Sequence, residues 1–319
     1  MSDRPTGSWP LPRAVGEEPH LPPPSVWPTG QRALPAQLRD SGCVPGTEAD
    51  TQLIPPAIAA RAITTYTRPG ELVLDPDCGA GTVLVEALRA GRHTLGLTAQ
   101  QRWWTIARAN ITATKAAGAP RDGSVLDGHP KVLTTIRAAG LVGRVGLVLA
   151  AVHTPGDDQT RSPDRDLDTE LDTALAALAT TMSCCEPLLR SGGRLVVIAR
   201  PRRHPDGTLV DLPTRLIAAA ASAGLVAVER CVALTAALRG SRLVTRASFA
   251  ERRAAARAQG APVALTAHYE VLVFQLGHDV ELAAAAGGTP WPGQAVVVPQ
   301  QRTDSGVNGV GHPDGRRAA

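Results

Sequence analysis

The stretch of sequence that decides the fold is 71–82, which reads ELVLDPDCGAGT. Its apolar half predicts a buried strand over Glu71–Asp75, and a helix is expected to begin near Gly81. Glycine at 79 and 81 lets the backbone adopt angles that other residues avoid and approach a ligand closely. The first turn of the following helix leaves N–H groups unpaired, which favours an anionic group. The stretch therefore predicts a strand–turn–helix ligand site.

Short apolar runs alternate with helical patterns on both sides of this stretch. Strands are predicted at Glu71–Asp75, His93–Leu97, Ser124–Leu126, Val145–Val152, Gly193–Ala199, Leu225–Thr235 and Leu265–Leu276. Helices are predicted at Pro56–Thr67, Gly81–Ala90, Gln100–Ala116, Asp168–Leu189 and Leu212–Ala223. This alternation predicts an α/β fold with a doubly wound, seven-stranded, mostly parallel sheet. The last two strands are expected to form an antiparallel hairpin at one edge.

Two common nucleotide-binding loops do not fit the glycine pattern. A dinucleotide-binding loop needs a third glycine where this chain has Leu84, and a P-loop needs Gly-Lys-Ser/Thr, which is absent. The ligand position outside the carboxyl ends of parallel strands remains the usual one for an open α/β sheet. The loop therefore predicts a small-molecule site of a different kind.

Residues 67–87, TRPGELVLDPDCGAGTVLVEA, followed by Gly91 and Arg92, resemble a known motif. It is the S-adenosylmethionine (SAM) motif of the DNA amino-methyltransferases, which make N6-methyladenine or N4-methylcytosine. The family pattern has an aromatic residue where this chain has Asp77, and a second threonine where it has Val83. The order of strands and helices extends the resemblance to about residues 53–276. The stretch also resembles the related RNA guanine-N2 methyltransferases. The resemblance implies a Rossmann-like class I methyltransferase fold.

The resemblance also implies which residues hold SAM. Asp75 is expected to take the ammonium group of the methionine part, whose carboxylate lies at the helix start. The family's acidic residue after the second strand, which holds the ribose hydroxyls, is replaced here by Thr98 or Gln100. Asp127 follows the third strand and either reaches the adenine amino group or only begins a turn. The expected cofactor residues are Asp75, Pro76, Cys78, Gly79, Gly81, Thr82, Thr98 and Asp127.

The loop after the fourth strand departs further from the family. There the family carries Asp/Asn/Ser-Pro-Pro-Tyr/Phe, whose oxygens accept the hydrogens of the target amino group while the ring stacks on the extruded base. This chain has Ala151, Val152, His153, Thr154 and Pro155. The candidate catalytic residues are therefore Ala151, His153 and Thr154. The alternative is a loop that has lost its catalytic residues.

An arginine-rich segment is the candidate nucleic-acid surface. Residues 200–260 contain 11 arginines against 4 acidic residues. Arginines near the catalytic end of the sheet would contact phosphates, and Phe249 would stack on a base. The alternative is a solvated insertion with an Ala/Arg helix. The arginines expected to contact nucleic acid, DNA in preference to RNA, are Arg200, Arg202, Arg203, Arg239, Arg242 and Arg246.

Charge and composition limit which functional classes remain for this protein. The net charge of +4 permits nucleic-acid contact without requiring it. Five cysteines without a C-x-x-C pair favour reduced thiols over a disulfide framework and give no metal site. No run of about 18 apolar residues and no signal sequence is evident, so a cytoplasmic protein without membrane contact is expected.

The two ends differ from the middle in composition. The first 56 residues hold 12 of the 27 prolines, and the tail is rich in Ala, Gly, Pro and Gln. The predicted division is a Pro-rich, largely disordered extension at 1–52, a methyltransferase-like domain at 53–280 and a flexible tail at 281–319. Within the extension, 25–56 is expected to be irregular, with Trp27 either packed on the domain or exposed.

These observations favour SAM-dependent methyl transfer to an exocyclic amino group of nucleic acid, with DNA ahead of RNA. Two alternatives remain: a catalytically silent binding or regulatory protein with the same fold, and a small-molecule methyltransferase. The loop at 151–155 distinguishes methyl transfer to an amino group from these two alternatives.

Overall fold

The computed structural model describes residues 24–136, 140–153, 167–204, 208–247, 249, 252–253, 255 and 264–285. The strands are β1 Val26–Trp27, β2 Leu72–Asp75, β3 His93–Thr98, β4 Gly123–Asp127, β5 Val145–Ala151, β6 Leu189–Ala199, β7 Leu225–Leu234, β8 Ala237–Arg239, β9 Arg242–Val244 and β10 His268–Leu276. The helices are α1 Leu34–Asp40, α2 Pro56–Tyr66, α3 Thr82–Arg89, α4 Gln101–Ala116, α5 Leu133–Ile136, α6 Leu167–Cys185, α7 Leu212–Ser222 and α8 Gly277–Ala285.

Eight strands form one sheet in the order β1-β7-β10-β6-β5-β2-β3-β4. Every neighbouring pair is parallel except β10, which runs antiparallel to both β6 and β7. The doubly wound, mostly parallel sheet and the antiparallel pairing of its last two strands are therefore confirmed, but this pair does not form the edge of the sheet, because β1 lies outside β7. Because β2, β3, β5 and β6 are parallel, their carboxyl ends meet at one edge, which we call the carboxyl edge.

The sheet separates two apolar layers. One face packs against α6 and α7 through buried residues such as Leu171, Leu175 and Leu216. The other packs against α2 and α3 through Ile58 and Val83. Pro187 lies two residues beyond the end of α6, which explains why the helix stops at Cys185 rather than reaching the predicted Leu189.

The sheet has one strand more than the seven predicted, because the segment before residue 53 contributes β1. The Val232 N–H donates to the Ser25 carbonyl at 2.8 Å, and Thr29 Oγ1 donates to the Leu234 carbonyl at 2.8 Å. Trp27 is fully buried, with its ring centroid 6.3 Å from that of Tyr66. The burial of Trp27 stabilises β1 on the sheet, although the proline content of this segment alone predicted irregular chain.

The rest of this N-terminal segment also carries structure where irregular chain was expected. It contains α1 and a 3₁₀ helix at Thr47–Ala49. The domain boundary at 52/53 stays a prediction, and residues 1–23 and 286–319 lie outside the described part of the chain. Within the described residues, no helix has both the length and the apolar character needed to span a bilayer.

The arginine-rich segment 200–260 contains a hairpin that sequence reasoning missed. Strands β8 and β9 pair antiparallel around Gly240, whose φ of 56° suits a tight turn. Beyond them Phe249 is 79% exposed, and most of the segment up to residue 263 lies outside the described residues.

Candidate active site

The turn after β2 has the shape that its glycines predict. Gly79 has φ +48° and Gly81 has φ +86°, both in the left-handed region. The Cys78 N–H donates to the Leu97 carbonyl at 2.7 Å, which ties the turn to β3. No side-chain hydrogen bond caps the start of α3 at Thr82. The helix start is therefore suited to an anionic ligand group.

A buried carboxylate from the N-terminal segment closes over this turn. Asp50 is 5% exposed, and its Oδ2 accepts the Ala80 N–H at 2.8 Å. A Cβ placed on Gly79 would lie only 2.2 Å from the same oxygen, so residue 79 must be glycine for this contact to form. Sequence reasoning missed Asp50, because a lone aspartate in a proline-rich segment has no pattern of its own.

Two further polar residues fasten the N-terminal segment to the turn. Thr82 Oγ1 donates to the Ile54 carbonyl at 2.9 Å. Asn110 of α4 is fully buried, donates to the Ala80 carbonyl at 2.8 Å and to Thr47 Oγ1 at 3.0 Å, and accepts the Val44 N–H at 2.7 Å. The turn is thus held from both sides by hydrogen bonds in the interior.

A cavity lies beside the turn at the carboxyl edge, and we call it the cofactor cavity. The residues that line it include Asp50, Asp75, Gly79, Gln100, Trp103 and His153. Of the expected cofactor residues, Asp75, Cys78, Gly79 and Thr82 line it as well. Gln52, Leu53 and Ile54 come from the N-terminal segment. Trp103, on α4, is a lining residue that sequence reasoning did not single out.

The electrostatics of the cofactor cavity suit a cationic group. Asp75 is 4% exposed, and burial raises its pKa well above the ordinary value, with Asp77 and Asp50 raising it further. The Asp77 N–H donates to Asp75 Oδ1 at 3.2 Å and partly offsets this. An ammonium group would satisfy this buried carboxyl, and the uncapped start of α3 at Thr82, which lines the cavity, favours a carboxylate. The residues therefore fit SAM.

The remaining expected cofactor residues take different positions. Thr98 is 2% exposed, and its Oγ1 accepts the Gln100 N–H at 3.4 Å, so Gln100 rather than Thr98 lines the cavity. Asp127 is exposed at the end of β4, opposite Thr98 in the sheet. Pro76 lines a neighbouring side cleft, described next. Gly81, which precedes α3 with φ +86°, is not among the residues that line the cavity. The cofactor roles of all eight expected residues stay predictions.

The target-base loop begins where β5 ends. Ala151 and His153 line the cofactor cavity, whereas Thr154 lies outside the described residues. His153 Nε2 lies 3.9 Å from Asp77 Oδ2. Both residues also line the side cleft, which runs between Pro76, His129, Lys131 and the apolar face of α6.

A second cleft continues from Ala151 and His153 in the other direction. We call it the target cleft, and its remaining lining residues include Leu53, Ile198, Arg200 and Tyr269. Arg200 and Tyr269 in turn line a broader depression, the arginine groove, together with Arg32, Gln37, Arg246 and His268. Tyr269 of β10 is a half-buried aromatic residue that sequence reasoning missed.

The structure brings some of the candidate arginines together. Arg200 and Arg246 line the same groove, and Arg246 Nη2 donates to the Gly30 and Gln31 carbonyls at 3.2 and 3.1 Å. Arg239 Nη1 donates to Gln31 Oε1 at 3.1 Å. Arg242 is exposed on β9, while Arg202 and Arg203 line none of the three clefts described above.

Residues 22–108 match the model of a family described as DNA methylase. The match includes both the glycine turn and the N-terminal segment that closes over it. It confirms the predicted resemblance and supports a SAM-dependent methyltransferase with SAM as its cofactor. The matched stretch ends within α4, before the target-base loop and the arginine groove.

Solved methyltransferase structures are similar to this chain. TrmN from Thermus thermophilus has a TM-score of 0.45 and 16% identity, covering 75% of this chain and 53% of TrmN. A SAM-dependent methyltransferase from Agrobacterium tumefaciens has a TM-score of 0.42 and 14% identity, covering 70% and 63%. TYW2 from P. horikoshii, solved in complex with MeSAdo, has a TM-score of 0.39 and 10% identity, covering 71% and 64%. This chain thus spans about half the length of TrmN.

Proposed function

We propose that this protein transfers a methyl group from SAM to an exocyclic amino group of a nucleic acid, with DNA preferred to RNA. The observation that carries the proposal is a continuous path along the carboxyl edge. The cofactor cavity shares Ala151 and His153 with the target cleft, and that cleft shares Arg200 and Tyr269 with the arginine groove. A cofactor cavity, the target cleft and the arginine groove therefore adjoin in that order.

The chemistry of the three parts matches this substrate. SAM, when bound, supplies the methyl group as an electrophile. Asp75 would hold its ammonium group, and the uncapped N–H groups at the start of α3 would receive its carboxylate. Tyr269 would stack on the extruded base, which the family's loop aromatic otherwise does. Arg200 and Arg246 would contact the phosphates on either side.

DNA is preferred to RNA because the family whose model matches residues 22–108 is described as DNA methylase. The proposal extends that description beyond the matched residues to the target cleft and the groove. The proposed site residues are Asp75, Pro76, Cys78, Gly79, Gly81, Thr82, Thr98 and Asp127 for the cofactor, and Ala151, His153 and Thr154 for the target base.

The deciding experiment measures SAM binding and methyl transfer separately. Calorimetry gives the Kd for SAM, and radiolabelled SAM is then incubated with unmethylated genomic DNA and, in parallel, with total RNA. We expect label in DNA as N6-methyladenine or N4-methylcytosine, and less in RNA. Loss of label with D75N, but not with D122N at the amino end of β4, ties the transfer to this cavity. Label in RNA alone would contradict the preference for DNA.

A second candidate is a SAM-binding protein that transfers no methyl group to nucleic acid. It is favoured by the described loop residues 151–153, which offer neither the family's acceptor side chain nor its first proline. SAM binding without label in DNA or RNA is the result expected of such a protein, or of a small-molecule methyltransferase. No SAM binding at all would contradict each of these functions.

The arginine groove has a test of its own. Arg200→Gln should weaken DNA binding uniformly across sequences and reduce the slope of log Kd against log salt by about one. Arg215→Gln is the matched control, because Arg215 lies on α7 and pairs with Asp172 outside the groove. Equal slopes for the two variants would remove the groove from the proposal.

A further inference from the structure

Two residues that lie far apart in the sequence meet at the centre of the carboxyl edge. Asp77 stands in the turn after β2, where the family pattern has an aromatic residue, and His153 stands in the loop after β5. Their side chains approach to 3.9 Å between His153 Nε2 and Asp77 Oδ2. The contact is too long for a hydrogen bond, but it is within the range of an ion pair.

The position of this pair relates it to the methyl-transfer path. Asp77 and His153 both line the cofactor cavity and the side cleft, and His153 also lines the target cleft. Among the described residues that line both the cofactor cavity and the target cleft, His153 is the one with an ionisable side chain. Its side chain is 23% exposed, so a substrate atom can reach it.

We infer that His153 accepts the proton that the target amino group loses, and that Asp77 positions His153 and stabilises its charged form. The inference rests on the proposed function and adds to it a proton acceptor and a positioning residue. With Nε2 turned towards Asp77, Nδ1 is the nitrogen left for the substrate. His153 thus does the work of the acceptor oxygen that the family carries in this loop.

The proton balance of this step is simple. The bond from the methyl carbon to the SAM sulfur would break as its bond to the target nitrogen forms, and its electron pair would stay on the sulfur. The nitrogen is then positively charged and holds two protons, one of which it must lose. The N–H bond breaks, its electron pair stays on the nitrogen, and the proton bonds to the lone pair of the neutral imidazole. The imidazolium so formed is stabilised by the Asp77 carboxylate and later releases its proton to water.

The groups around Asp77 support a charged partner at this place. Desolvation in the cleft has the largest effect and raises the pKa of Asp77, and the Asp50 carboxyl raises this pKa too. The imidazoles of His153 and His129 lower it. Asp75 lies beneath, with its own pKa raised. Asp77 therefore faces two imidazoles and two carboxyls, and its side chain remains 64% exposed to solvent, which screens these interactions.

The kinetic test replaces each member of the pair without changing its size much. His153→Asn should lower kcat by about 100-fold or more, the usual contribution of a general base, and change the SAM Kd less than threefold. Asp77→Asn should lower kcat by about tenfold and leave the DNA KM unchanged. Imidazole added to the smaller variant His153→Ala should restore part of the lost kcat.

The chain offers a matched control in a second histidine–aspartate pair. His93 Nδ1 lies 4.0 Å from Asp122 Oδ2 at the amino end of β3, away from the carboxyl edge. His93→Asn and Asp122→Asn should retain the wild-type kcat. Thermal unfolding and SAM calorimetry on all variants show whether each is folded with an intact cofactor cavity.

A second readout does not depend on activity. In ¹³C carboxyl NMR, His153→Asn should raise the pKa of Asp77, because His153 lowers that pKa. His93→Asn should leave that pKa unchanged. The inference is overturned if the pKa of Asp77 does not move, or if His153→Asn keeps its kcat in an active enzyme. If the wild-type chain methylates neither DNA nor RNA, the proposed function fails first, and the inference fails with it.

Discussion

The cofactor side and the target side of the carboxyl edge are built differently. The turn 78–82 is fixed by backbone geometry and by buried polar side chains, with Asp50 and Asn110 each bonded to Ala80. The target side has two half-buried side chains that border open clefts: His153 in the loop after β5, and Tyr269 near the start of β10. We call the hydrogen-bonded turn 78–82 the cradle. On the target side, by contrast, each side chain can be substituted without disturbing such a network.

This difference has a physical consequence for substitutions. A residue in the cradle has neighbours within van der Waals contact on several sides, so a change there affects backbone, hydrogen bonds and ligand together. A side chain bordering a cleft affects only the ligand atoms that it touches. Changes in the turn should therefore have large effects on SAM, and changes on the target side should have graded effects on the nucleic acid.

The largest effect is expected from Gly79→Val. The new Cβ would meet the Asp50 carboxylate at 2.2 Å, and a branched side chain is disfavoured at φ +48°. Displacing Asp50 would also break its bond to the Ala80 N–H. We expect the SAM Kd to rise at least about 100-fold, measured by calorimetry, since strain and a lost charged hydrogen bond each cost about 1–3 kcal/mol.

Gly224→Val is the matched control for this prediction. Gly224 also has a positive φ, +74°, but a Cβ there meets no atom within 4 Å, and it precedes β7 at the opposite end of the sheet. This variant should lose about 1–3 kcal/mol of unfolding free energy while keeping the wild-type SAM Kd. Similar losses of SAM affinity in both variants would mean that the turn 78–82 has no particular role in binding SAM.

The next effect concerns Asp75. Asp75→Asn keeps the shape and the acceptor for the Asp77 N–H, but it removes the charge that would hold the ammonium group. Losing a charge-assisted hydrogen bond of about 1.5–3 kcal/mol predicts a SAM Kd roughly 10- to 150-fold higher. An unchanged Kd would assign the ammonium group to another partner, and Asp122→Asn provides the control for losing one carboxylate away from the cofactor cavity.

The raised pKa of Asp75 also predicts a dependence on pH. Because the folded chain keeps a proton on Asp75 at pH values where the unfolded chain has lost it, the free energy of unfolding falls as the pH rises through the raised pKa. Above that pH, Asp75→Asn should be more stable than the wild type in denaturant titrations. SAM affinity of the wild type should fall on acidification, because a cation prefers the ionised carboxyl, whereas the variant should lack this slope.

On the target side, Tyr269→Ala should weaken nucleic-acid binding and leave SAM binding unchanged. The loss of one stacked base is worth about 1–3 kcal/mol, so the DNA KM should rise roughly tenfold. Tyr269→Phe keeps the ring and should keep the wild-type KM. An equal loss with phenylalanine would show that the hydroxyl, rather than the ring, contacts the substrate.

Much of the fold could be predicted because it repeats a local pattern. Each βαβ unit has an apolar run and an amphipathic helix that are visible within about 30 residues, as in Leu72–Asp75 and Thr82–Arg89. The pairing of Val26–Trp27 with a strand about 200 residues later has no such local signal. Its decisive contact, the burial of Trp27, depends on tertiary packing.

The same distinction separates the predicted from the missed parts of the site. Asp75, Gly79 and Thr82 belong to one motif and line the cofactor cavity as a group. Asp50 and Tyr269 reach the carboxyl edge from the N-terminal segment and from the last strand. The sheet order brings Tyr269 there, and the packing of the N-terminal segment against the turn brings Asp50 there, so no spacing in the sequence relates either residue to the motif.

The smallest effect tests the ribose position, where the cradle departs from the family pattern. Gln100 lines the cofactor cavity, whereas its neighbour Gln101 begins α4 and is not among the lining residues. Gln100→Glu introduces the missing carboxylate at constant size, and two charge-assisted bonds to the ribose hydroxyls should lower the SAM Kd about three- to tenfold. Gln101→Glu adds the same charge to the helix start without that contact. If both variants bind SAM alike, the gain comes from general electrostatics, and the ribose lies elsewhere, nearer Thr98 or Asp127.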